Sequence, residues 1–182
     1  MLKNIFLAPV STVNYDFQFL RPVIQGIDIK EVKSYTSIPS LSRFRDGKVY
    51  LWGVKEYKKR FWDLAKPDDI ILFYNTGRFI FSAIILEKEY NEDLANSIWG
   101  GEHFIFSRKK NAWPFIFFLR DIHECDIPFE IIRQSSGYSP KYYLRSFIML
   151  KPEARDRILL TFNSIDNFLL SYSKLIHPEN IK

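Results

Sequence analysis

Two apolar runs that meet at an Asn-Thr-Gly tripeptide constrain this chain more than any other feature. Residues 68–89 read DDIILFYNTGRFIFSAIILEKE. Asn75, Thr76 and Gly77 tolerate the positive backbone φ that a tight connection needs, so the segment predicts a β-hairpin. Further strands are predicted at residues 4–10 (NIFLAPV), 48–54 (KVYLWGV) and on both sides of the basic turn in residues 102–128. Between them lie segments with helical character. Residues 14–26 (NYDFQFLRPVIQG) predict a short helix stopped near Pro22 or Gly26. Residues 55–69 carry Tyr57, Phe61, Leu64 and Ala65 at helical spacing, before a Lys66-Pro67-Asp68 stop. Residues 91–100 predict a short acidic helix ending in Gly100-Gly101. Residues 28–48 read as a short strand and a long surface loop, and residues 128–153 as an apolar run, a Ser/Gly/Tyr loop and a mixed segment. The C-terminal part predicts one amphipathic helix, with Ile158, Leu159, Phe162, Ile165, Leu169 and Tyr172 near one face. Short strands interleaved with short helices predict an α+β fold, its strands curled into a small mixed β-barrel flanked by short helices.

At 182 residues, with 47% hydrophobic content, the chain has enough material for one domain with a packed core. The formal charge of +5 permits a polyanionic partner without requiring one. A single cysteine, Cys125, rules out an intrachain disulfide and a cysteine-based zinc site, which fits a cytoplasmic location. The N-terminus has no long apolar stretch with a cleavage signal, and no apolar run reaches membrane-spanning length.

Aromatic and basic residues cluster in order along the chain. Trp52 ends an apolar strand and is followed by Lys55, Lys58, Lys59 and Arg60; Trp99 precedes Gly100-Gly101; Arg108, Lys109 and Lys110 fill a turn between strands. A tryptophan at a strand end is either core or the wall of a pocket. Trp62 and Trp113 read as packing residues. A basic run is either a solvated face or a phosphate contact. At Trp52, Phe73-Tyr74-Asn75, Gly77 and Trp99-Gly100 the chain resembles the PUA-like superfamily, particularly its EVE and YTH branches, over roughly residues 4–128. Asp68 stands where that pattern usually has Gly. Within the superfamily the order of motifs looks most like the N-terminal domains of archaeal McrB proteins, the specificity subunits of modification-dependent restriction systems.

That resemblance implies a reader of methylated DNA that flips the modified base into an aromatic cage, with N6-methyladenine as the first choice. Trp52 and Trp99 would be cage walls, and Asn14 and Asn75 would contact the base. Arg43, Arg45, Lys58, Lys59, Arg108, Lys109 and Lys110 would contact phosphates. Residues 1–150 would form the reading domain, and residues 151–182 a C-terminal helix and linker toward an AAA+ motor. The motor would bring a McrC-type nuclease subunit; the isolated domain would be monomeric and the full-length protein hexameric. No cofactor or metal is implied. An EVE-like reader of 5-methylcytosine or 5-hydroxymethylcytosine and a PUA-like RNA-binding module are the alternatives.

Enzymatic readings find less support. No phosphate-binding loop occurs: Gly47-Lys48 is followed by Val49, and Ser42 stands where the first glycine is required. Pro67-Asp68 could open a nuclease motif, but no Asp/Glu-x-Lys follows it. Along a strand Asp121, His123 and Cys125 would share one face, which leaves a Cys/His or metal site as a third reading.

Overall fold

A computed structural model describes residues 2–13, 15–100 and 113–174. Seven strands form one sheet: β1 (Ile5–Pro9), β2 (Ile27–Asp28), β3 (Lys48–Val54), β4 (Ile70–Asn75), β5 (Arg78–Tyr90), β6 (Phe115–Pro128) and β7 (Ile148–Met149), in the order β2-β3-β6-β5-β4-β1-β7. β1 runs parallel to β4, and every other pairing is antiparallel. The predicted hairpin is β4–β5. Thr76 (φ 44°) and Gly77 (φ 82°) both take positive φ, and Asn75 pairs with Arg78, so the connection has two residues.

The uninterrupted apolar runs are explained by burial on both faces of the sheet. Phe6, Ala8, Ile71, Phe73, Phe115, Phe117 and Leu119 point into one core, while Ile5, Leu7, Ile70 and Leu72 enter a second and Ile116 and Phe118 a third. Successive residues alternate between cores, as the period of two along a strand requires. The first core is the inside of a barrel. Trp52 on β3 meets Phe73 on β4 at 5.3 Å although two strands separate them in the sheet. Phe147 likewise touches Phe6 (5.4 Å) and Phe117 (5.7 Å).

Helices cover the outer faces. α1 (Ile29–Lys33) and α3 (Glu92–Trp99) supply Val32, Leu94, Ala95, Ile98 and Trp99 to the third core, beside β3 and β6. α4 (Phe129–Ser136), α5 (Pro152–Phe162) and α6 (Ile165–Ser171) supply Phe129, Ile132, Ala154, Ile158, Ile165 and Phe168 to the second, beside β1 and β4. α2 (Lys59–Leu64) follows a 3-10 turn at Glu56–Lys58. The segment Asp16–Gln25 is a π-helix containing Pro22, and its buried side chains include Phe19 and Val23. No described helix is long and apolar enough to cross a membrane.

Four local readings are corrected. The C-terminal helix is two helices, because Asn163 takes a left-handed φ of 65° and donates its N–H to the Leu159 carbonyl at 2.8 Å. Ser164 then caps α6, its Oγ accepting from Asn167 N at 3.0 Å. The apolar run after Pro128 is the helix α4. Between Glu56 and Leu64, Tyr57 (69% exposed) and Leu64 face outward, and only Ala65 of the expected stripe is fully buried. Finally, β6 carries bulges where Arg120 pairs with Ile84 but His123 with Ser82, and where Glu124 pairs with Phe81 but Ile127 with Phe79. Each extra residue shifts the alternation. His123 is therefore exposed while Cys125 is buried.

Candidate functional site

A cavity of about 330 Å³ opens where the ends of β1 and β3 approach the start of β6. It lies within the roughly 300–1,000 Å³ range of small-ligand pockets. Its lining includes Val10 and Ser11 after β1, Gln18 on the π-helix, Trp52 and Lys55 at the end of β3, and Trp113 before β6. Tyr57 and Lys58 from the 3-10 turn, and Arg145, Ser146 and Phe147 before β7, complete it.

The tryptophans are fixed by packing. Trp52 is 8% exposed and stands edge-on to Phe73 (5.3 Å) and Phe19 (6.3 Å). Trp113 lies 6.2 Å from Trp52, tilted by 35°. This is too close to admit a planar ring between them, since each stacked contact needs about 3.5 Å. The two indoles are adjoining panels of one wall. Gly53 makes that wall possible: a Cβ there would lie 2.5 Å from the Trp113 Cβ and 2.9 Å from the Trp99 ring. Trp99 is 1% exposed and stands behind Trp113 at 5.5 Å, outside the cavity lining. The indole N–H groups of Trp52 and Trp99 are buried with no hydrogen-bond partner among the described residues.

Cations surround this wall. Lys55 and Arg145 are exposed, and neither has an ion-pair partner among the described residues. Lys58 is half-buried, and partial desolvation, reinforced by the Arg60 charge, draws its ammonium below the ordinary lysine range. An anion placed beside Lys58 would favour its ammonium form, so the site suits phosphate electrostatically. Ser11, Gln18 and Ser146 add polar groups able to meet the edge of a base.

Of the residues singled out in the sequence, Trp52 and Lys58 meet at this cavity. Lys59 is next to it in sequence but is paired with Asp63 at 2.6 Å on α2. Arg43 and Arg45 are exposed and do not line the cavity. Asn75 closes the β4–β5 hairpin, where its Oδ1 accepts from Thr76 Oγ1 at 2.6 Å, and it too is absent from the lining. Asn14, Arg108, Lys109 and Lys110 fall outside the described residues. Trp113, Arg145, Gln18 and Tyr57 were not anticipated. Trp113 follows a basic run in sequence and precedes Pro114, so its sequence context signals packing alone; its position depends on Gly53, sixty residues earlier.

A second cavity of about 590 Å³ lies between β6 and α6 and has the opposite character. Asp121, Glu124 and Asp166 line it with Lys174, which is paired with Glu124 at 2.6 Å. Asp121 is paired with Arg120 and Asp166 with Lys3, so the cavity offers a polyanion no unpaired cation among the described residues. Cys125 at its floor is 2% exposed, its thiol is pushed up to about 12 chiefly by burial, and its S–H donates to the Phe79 carbonyl at 3.4 Å. A thiol so held is a poor nucleophile at neutral pH. Among the described residues no group of three or more His, Cys, Asp or Glu could hold a metal ion.

No protein-family model and no curated protein sequence matches the chain. Solved structures do. The N-terminal domain of Thermococcus gammatolerans McrB bound to m5C DNA superimposes with a TM-score of 0.63 at 17% identity, over 88% of this chain and 98% of that one. The YTH domain of Zygosaccharomyces rouxii MRB1 in complex with N6-methyladenosine RNA gives 0.48 at 18% identity, covering 90% of each chain. Human THYN1 in complex with 5-methylcytosine-containing DNA gives 0.46 at 16% identity, over 87% and 97%. The α+β, PUA-like fold that the motif order implies is thus the fold of this chain, shared with the McrB N-terminal domain.

Proposed function

We propose that this chain reads methylated DNA by drawing one modified base out of the duplex and laying it against the Trp52–Trp113 wall. The observation that carries the reading is the conjunction of that indole wall with Lys55, Lys58 and Arg145 in one cavity. Extruding a base costs a few kcal/mol. Stacking on aromatics returns about 1–3 kcal/mol per contact, and a buried methyl adds roughly 0.8 kcal/mol. Binding is therefore near balance for an unmodified base and favourable for a methylated one once phosphate contacts contribute. Ser11, Gln18 and Ser146 would read the base edge, with Asn14 and Asn75 as the further base contacts that the resemblance implies. The phosphate set is Arg43, Arg45, Lys58, Lys59, Arg108, Lys109 and Lys110, to which the cavity adds Lys55 and Arg145. Trp99 would act by holding Trp113 in place.

N6-methyladenine is the base we assign first. 5-Methylcytosine is the second reading, favoured by the fold match, because the Thermococcus gammatolerans McrB domain is bound to m5C DNA. The chain would serve as the specificity domain of a modification-dependent restriction system. Residues 1–150 would do the reading, and residues 151–182 would lead to a motor acting with a McrC-type nuclease. It would bind DNA without cutting it, as a monomer when isolated and as a hexamer within the full-length protein.

Fluorescence polarisation with matched duplexes carrying N6-methyladenine, 5-methylcytosine or no modification, and with the corresponding RNAs, tests this. One methylated duplex should bind most tightly. Trp52→Ala or Trp113→Ala should weaken it by about 1–3 kcal/mol while changing unmodified binding little. Equal affinity for methylated and unmethylated duplexes would refute the reading.

A further inference from the structure

Tyr57 is conspicuous at this cavity because its ring is left in water. It is 69% exposed although its spacing in sequence fits a buried helical stripe. It occupies the 3-10 turn Glu56–Lys58, which follows β3 after one residue, so its backbone is tied closely to the strand that carries Trp52. The turn is closed by Lys58 N donating to the Lys55 carbonyl at 2.9 Å, and Lys59 N donates to the Glu56 carbonyl. The Lys58 ammonium stands 5.5 Å from the Tyr57 ring centroid. The ring is thus presented at the cavity, on a fixed turn, beside Lys58 and in a lining that also includes Lys55.

An extruded base leaves a vacancy in the duplex stack, flanked by two phosphates and facing an orphaned partner base. Side chains inserted between base steps stabilise such distorted duplexes. We infer that Tyr57 enters the duplex at the position the flipped base leaves, an inference that rests on the flipped-base reading above. The placement matches the need: the wedge is part of the cavity that receives the base, and Lys55 and Lys58 of the same lining supply cations for the two phosphates. A planar aromatic also stacks on any neighbour, so the insertion would be indifferent to sequence.

Single-stranded DNA has no vacancy to fill, which separates this role from every other. Affinities of wild type, Tyr57→Ala and Tyr57→Phe are measured for a methylated duplex and for the methylated strand alone, with thermal melting to verify folding. Tyr57→Ala should lose roughly ten- to hundredfold on the duplex and keep wild-type affinity for the single strand. Tyr57→Phe should keep both. An equal loss on duplex and single strand would make Tyr57 a cavity or phosphate contact and overturn the wedge, as would no loss on either. A wild-type protein that ignores methylation in both forms would instead overturn the flipped-base reading itself, and the wedge with it. Methyl preference retained alongside an unaffected Tyr57→Ala duplex would overturn the wedge alone.

Discussion

A missing methyl group at Gly53 shapes the cavity more than any side chain that lines it. Trp113 Cβ, its carbonyl oxygen (2.8 Å) and the Trp99 ring all crowd the place where a Cβ would go. The nearest atoms belong to backbone and to a Cβ, so neither can swing away as the end of a flexible side chain could. Gly53→Ala should therefore push Trp113 off β3 and tilt the wall away from Trp52. Overpacking of this kind costs about 1–3 kcal/mol. The expected outcome is a lowered denaturant midpoint together with weakened methylated-duplex binding, while unmodified binding, which depends on the cations, holds. A Gly53→Ala protein with wild-type stability and wild-type methyl preference would show that Trp113 does not form the wall.

Among the elements, the connection between α2 and β4 shows a conformational demand met in an unusual way. Asp68 stands where the resembling proteins usually carry glycine, and its φ is 73°. An L-residue in this left-handed region costs roughly 1–2 kcal/mol, less for Asp than for branched residues. Here the Asp68 carboxylate accepts from Arg120 Nη2 at 2.7 Å, an exposed pair of small worth. The next residue anchors the turn: buried Asp69 accepts from Asn4 N (2.7 Å) and Lys66 N (2.9 Å), tying the starts of β1 and β4 together. Asp68→Gly should leave stability within about 1 kcal/mol of wild type, relief of the backbone offsetting lost unfolded-state restriction and the lost pair. Asp68→Val should destabilise by about 2 kcal/mol. Chemical denaturation of the two variants distinguishes them, and equal stabilities would mean that the turn does not enforce its φ.

The same elements show what a linear reading captures. The β4–β5 hairpin was legible because Asn75, Thr76 and Gly77 carry their conformational preference locally, and α3 because Asn91 caps it through Leu94 N at 2.8 Å. Trp52 and Lys58 were legible as neighbours in one candidate cavity because both follow from one strand end. The π-helix escaped because Pro22 signals only a stop. The faces of β6 escaped because its bulges are set by pairing with β5, and Trp113 because its meaning lies in a contact with another strand. Local chemistry could be read; what depends on contacts between segments distant in sequence could not.

On the scale of the molecule, cations without an ion-pair partner among the described residues gather at one cavity, whereas the charges at the other are paired. The net charge of +5 is modest, but it is not spread evenly: Lys55, Lys58 and Arg145 gather at the indole wall, and Asp121, Glu124 and Asp166 gather at the groove beneath α6. A polyanion would thus be steered to one side of the barrel. Each phosphate neutralised releases condensed counterions, so the logarithm of the binding constant falls with the logarithm of salt by about 0.9 per contact on duplex DNA. Lys55→Gln, Lys58→Gln and Arg145→Gln should each flatten that slope by roughly one unit. Methylated and unmethylated duplexes should weaken in parallel, because phosphates carry no information about the base. Asp121→Asn and Glu124→Asn, on the acidic side, should leave the slope unchanged. The contrast with the tryptophans is the decisive part. Trp52→Ala should reduce the methylated-to-unmethylated ratio at constant slope, whereas the three cation variants should reduce the slope at constant ratio. Salt slopes untouched by all three cation substitutions would make those residues solvated surface and move the DNA path elsewhere on the barrel.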